Sequence, residues 1–159
     1  MKRLGYLAGL LFILTSAGCN TFSGTPRFVE AALNPPQLQP GDSGVITVRL
    51  VDKQKVVKRL EGVVKEFPDV TFPLRDDGQP PDEKAGDGLW CFKVDVPFLA
   101  APGQYTLEIR AYRSDGLPVP VRVKGMGTVN LQTEIPVIIR YPETAAPQTE
   151  GPTQPSTQP

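Results

Sequence analysis

Between Phe28 and Tyr141 apolar and polar side chains alternate in short runs, and turn-forming residues separate the runs. Phe28 to Leu33 predicts a first strand, closed by Asn34-Pro35-Pro36. Val45 to Val51 sets Ile46, Val48 and Leu50 on one face and Thr47 and Arg49 on the other, the two-residue period of a half-buried strand. Val56 to Phe67 alternates less well, with Gly62 reading as a bulge or bend and Pro68-Asp69 as the next turn. Val70, Phe72 and Leu74 then lead into a long acidic loop. Beyond it Trp90, Phe92, Val94 and Val96 point one way, opposite Lys93 and Asp95, so Trp90 is expected in the core. Tyr105, Leu107, Ile109 and Ala111 alternate with Thr106, Glu108 and Arg110. Ser114-Asp115-Gly116 is a hairpin signal, and Val119, Val121 and Val123 follow, with Pro118 and Pro120 suggesting an edge. Gly125-Met126-Gly127 breaks the run, and Thr128 to Tyr141 carries Ile135, Val137 and Ile139 at strand period.

This pattern predicts an all-β domain over residues 27–142, a sandwich of about seven to nine short strands with no convincing helix. From Pro142 on, Pro, Thr, Gln, Glu and Gly leave hardly an apolar side chain, so residues 143–159 are expected to be a disordered tail. The first eighteen residues differ again. Lys2 and Arg3 precede an apolar run from Leu4 to Leu14, and Ser16-Ala17-Gly18 supplies small residues before Cys19. That run is short for a membrane span. The arrangement resembles a bacterial lipoprotein signal, with Ser16 standing where that family usually has Leu. An ordinary secretory signal with an incidental cysteine is the other reading. The resemblance implies that residues 1–18 are removed, that Cys19 is lipidated, and that residues 19–26 tether the domain to a membrane. Acyl chains contribute about 0.8 kcal/mol per buried CH₂, so several make a stable anchor. Asn20 follows the cysteine, and the enteric sorting rule then favours the outer membrane.

Composition narrows the chemistry. The sequence has no histidine, which excludes His-dependent triads and His metal ligands. There are 17 basic and 17 acidic residues, and removing Lys2 and Arg3 leaves 15 against 17. Such a surface has no general attraction for nucleic acid. With Cys19 lipidated, Cys91 has no disulfide partner.

The loop from Leu74 to Trp90 holds Asp76, Asp77, Asp82, Glu83 and Asp87, punctuated by Gly78, Gly86 and Gly88. Hard carboxylate oxygens at close spacing suit Ca²⁺, with Asp76, Asp77, Asp82 and Asp87 as its ligands. The same aspartates can instead cap their own turns. A third use pairs Asp77 and Asp87 as general acid and base, in a small hydrolase of envelope polysaccharide. The loop is similar to a pattern in bacterial extracytoplasmic immunoglobulin-like modules, roughly L-x-D-D-G-x-x-x-D-x-x-A-x-D-G-x-Y, with Trp90 in place of the Tyr. That resemblance spans about residues 28–116. It implies an immunoglobulin-like β-sandwich, an accessory or adhesion-type module without catalysis. Its partner would be an envelope protein or glycan. Gly103-Gln104-Tyr105 further resembles the tyrosine corner of such domains, in which the Tyr hydroxyl bonds back to the backbone.

Overall fold

The computed structural model describes residues 24–141. The signal, Cys19 with most of its tether, and the tail after Tyr141 lie outside the described residues. Within them the strands are β1 (Arg27–Asn34), β2 (Gln37–Leu38), β3 (Ser43–Val51), β4 (Arg59–Val64) and β5 (Phe67–Leu74). After the acidic loop come β6 (Leu89–Asp95), β7 (Gly103–Tyr112), β8 (Pro120–Val123), β9 (Gly127–Asn130) and β10 (Gln132–Ile139). One sheet has the order β1-β3-β6 and the other β2-β10-β7-β4-β5, while β8 and β9 form a separate ribbon. All pairings are antiparallel except the short β2–β10 contact. The two sheets enclose one apolar core, and the fold is an immunoglobulin-like β-sandwich.

The inward faces follow the alternation. Ile46 and Val48 are wholly buried on β3, opposite Phe92 and Trp90 of β6. Leu60 on β4 and Ile109 on β7 are wholly buried on the facing sheet. Removing this apolar surface from water drives the sheets together, at about 25 cal/mol per Å². Tyr105 donates its hydroxyl to the Ala101 carbonyl at 2.8 Å, so the tyrosine corner forms as the motif implies.

Four local expectations are corrected. The turn after β4 is Lys65–Glu66, not Pro68-Asp69. The Lys65 amide donates to the Thr106 carbonyl at 2.9 Å, and the Glu66 carboxylate accepts from the Thr106 amide, so β7 fixes the turn. Pro68 and Asp69 lie instead on the edge strand β5, where a missing amide costs no ladder bond. Gly62 is regularly paired with Phe72 and Ile109. It is glycine because a Cβ there would sit 2.1 Å from the Phe72 ring. The bulge comes one residue later, between Val63 and Val64. Trp90 faces the core beside Phe92 and Val94 but is only half-buried, because β6 is an edge strand of its sheet. Finally, Leu131 divides the last segment into β9 and β10.

Candidate functional site

The acidic loop begins where β5 leaves one sheet and ends where β6 enters the other. The crossing is fastened at its base. Arg75 and Cys91 exchange both backbone hydrogen bonds, at 2.9 and 2.7 Å, and the Leu50 amide donates to the Gly88 carbonyl at 2.8 Å. Gly88 has φ of +84°, and a Cβ there would meet the Leu50 carbonyl oxygen at 2.7 Å, so both conformation and space demand glycine.

Each of the four aspartates accepts backbone hydrogen bonds within the loop. Asp76 takes three, from Gly86 at 2.7 Å, Asp87 at 3.2 Å and Gly88 at 3.0 Å, and so closes the loop's two ends on each other. Asp82 is buried and accepts from Gly78 at 2.7 Å and Lys84 at 3.2 Å. Asp77 accepts from Gln79 and Asp87 from Leu89, each an Asx-turn two residues long. The turn reading therefore holds at Asp77 and Asp87 and in part at Asp82, whereas Asp76 bonds across the loop rather than to its own turn.

The loop also gathers three of the four candidate ligands. Carboxylate oxygens of Asp76, Asp82 and Asp87 lie within 4.8 Å of one another. Asp77 stands outside that group and faces Arg75, its nearest cation, at 3.9 Å. A carboxylate offers about four lone-pair directions, so Asp76 keeps about one free, Asp82 two and Asp87 three. These hard oxygens fit the chemistry of Ca²⁺, whose six to eight ligands would be completed by backbone carbonyls or water.

Sequence reasoning left the placement of Cys91 open. The structure buries it on the outer face of β6, across from Thr47. Burial pushes its thiol pKa up, and the carboxylates of Asp82, Asp87, Asp76 and Glu83 raise it further by opposing a thiolate. The loop is thus the electrostatic environment of an inert thiol, held protonated at neutral pH.

No family model matches this chain, and no curated protein matches it. Among solved structures it is similar to a Niemann-Pick type C2 protein from the Japanese carpenter ant. The two share 13% identity over 73% of this chain and 93% of the other, with a TM-score of 0.41. At that distance the likeness carries no argument about ligand or activity.

Proposed function

We propose that the chain is a non-catalytic module of a bacterial cell envelope, held to a membrane by lipid on Cys19. Its sandwich serves as a binding or structural accessory unit toward an envelope protein or glycan. What supports the non-catalytic part is how the loop's carboxylates are used. Asp77 and Asp87, the pair a hydrolase would need, each accept a nearby backbone amide in a short turn. General acid–base catalysis needs a carboxyl aimed at substrate with a suitably placed partner. In these side chains the geometry supports a loop held in shape by its own aspartates.

The anchoring part rests on the signal-like residues before Cys19, and Asn20 points to the outer membrane. Cys19→Ala tests it. The variant should stay uncleaved or leave the membrane fraction, and should take up no labelled fatty acid. A variant that fractionates and labels like the parent refutes the anchor. The catalytic alternative predicts polysaccharide-cleaving activity that vanishes in Asp77→Asn and Asp87→Asn.

Calcium at the loop is a second reading, favoured by the convergence of Asp76, Asp82 and Asp87. It would add a stabilising ion to the same module.

A further inference from the structure

β5 and β6 are joined at one end by the Arg75–Cys91 bridge and part company at the other. The parting has a local cause. Val63 pairs with Thr71 but Val64 pairs with Phe67, so Pro68, Asp69 and Val70 are looped out of the ladder. Between the splayed strands lies a cleft of about 510 Å³ that runs into the core. Its floor is built from buried residues of both sheets, among them Leu33, Leu107, Val137 and Ile139. Its lips are apolar and open to solvent: Phe67 at 55% and Val70 at 52% exposure on one side, Leu99 at 95% on the other.

We propose that this cleft binds a single long apolar chain, the acyl chain of a fatty acid or phospholipid. Three observations select that occupant. The first is size: pockets for small ligands run from about 300 to 1,000 Å³, and an apolar cavity of about 150 Å³ already holds benzene. At about 510 Å³ the cleft has roughly three times the volume of that cavity and falls within the ligand-pocket range. The second is chemistry. The one charged side chain on the lining, Asp95, is already engaged by the Ser43 hydroxyl and lies 3.5 Å from Lys93. The Tyr105 hydroxyl is committed to Ala101. A peptide inserted here would carry backbone amides and carbonyls past a lining that offers them few partners, whereas an acyl chain carries none.

The third is the nature of the strand edges. Pro68 and Asp69 stand on the β5 side and Lys93 and Asp95 on the β6 side, the residues that discourage strand addition. The chain's own termini are poor candidates. Gly24 and β1 begin at the loop end of the sandwich, and the eight residues of β1 carry the chain about 26 Å to the cleft end. After Tyr141 only Ala145, Ala146 and prolines could offer apolar contact. The inference does not depend on the anchoring reading.

The test uses the full chain carrying Cys19→Ala, which removes any acyl chain of its own. Titration with the fluorescent fatty acid cis-parinaric acid should give saturable one-to-one binding. Val70→Asp and Leu99→Asp, both at exposed lip positions, should each weaken binding at least tenfold while the melting temperature holds. Val123→Asp, on the distant β8–β9 ribbon, should leave it unchanged. Competition then separates the sources. Displacement by palmitate alone identifies free fatty acid, and displacement also by phosphatidylethanolamine–phosphatidylglycerol vesicles identifies bilayer lipid. Absence of saturable binding, or equal affinity in the parent and both lip variants, overturns the proposal.

Discussion

Single residues show most directly what the sandwich demands. Gly62 lies in a regular ladder, beneath the ring of Phe72, which in turn stacks on Phe92 with centroids 4.9 Å apart. A methyl group at Gly62 overlaps that ring and must displace a stack that spans both sheets. Gly62→Ala should therefore cost about 1–3 kcal/mol, the usual range for overpacking a core. Denaturant unfolding measures it, and the double variant Gly62→Ala/Phe72→Leu should recover part of the loss. A neutral Gly62→Ala would mean that the ring moves aside freely. Cys91 yields a prediction about pH. Its pKa is raised in the folded state, so the folded chain favours the neutral thiol more than the unfolded chain does. The contribution to stability is complete below the unfolded pKa, about 8.5, and is lost as pH climbs from there toward the folded value. Stability should fall across that alkaline window, and Cys91→Ala should flatten the fall. An unchanged slope in Cys91→Ala would assign the alkaline loss to other groups.

Elements were legible to differing degrees, and the differences have physical causes. β3, β6 and β7 could be read because their inward residues alternate with polar ones, as half-buried strands require. The turn between β4 and β5 could not, because what fixes it is the Thr106 backbone, forty residues on in the sequence. The cleft was illegible for the same reason: its lips, Phe67 and Val70 on one side and Leu99 on the other, come from segments distant in sequence. The loop was the opposite case. Its Asp–Gly spacing already implied turn chemistry, and each aspartate does accept a backbone amide. What spacing could not reveal was which carboxylates converge, since Asp76 and Asp87 meet only when the loop closes. Thermal melts of the full chain in EDTA and in millimolar calcium, at matched ionic strength, decide whether the convergence binds the ion. A site would raise stability by about 2.7 kcal/mol at free calcium a hundredfold above Kd. The rise should disappear in Asp82→Asn and Asp87→Asn. Equal melting temperatures in the two buffers would leave the loop to its backbone bonds.

At the scale of the whole molecule, the question is where the folded unit stops. The last described strand, β10, holds the short edge strand β2 by pairing Ile138 with Gln37 and Ile139 with Leu38. The Arg140 amide then donates to the Leu38 carbonyl at 3.0 Å. These bonds hold β2 against the core, where Leu38 is almost wholly buried and Ile139 is buried beside it. The sequence beyond Pro142 has almost no apolar surface to add to such packing. Two truncations separate the cases. A chain of residues 27–142 keeps every one of these contacts, so it should fold alone with an unchanged melting temperature. A chain of residues 27–137 loses Ile138, Ile139 and Arg140 and uncovers Leu38. The deletion of one large buried side chain alone costs about 2 kcal/mol or more, so this chain should melt several degrees lower. Equal melting temperatures for the two truncations would show that β2 contributes nothing to the fold. A loss of several degrees already at residues 27–142 would show that the terminal segments pack on the sandwich.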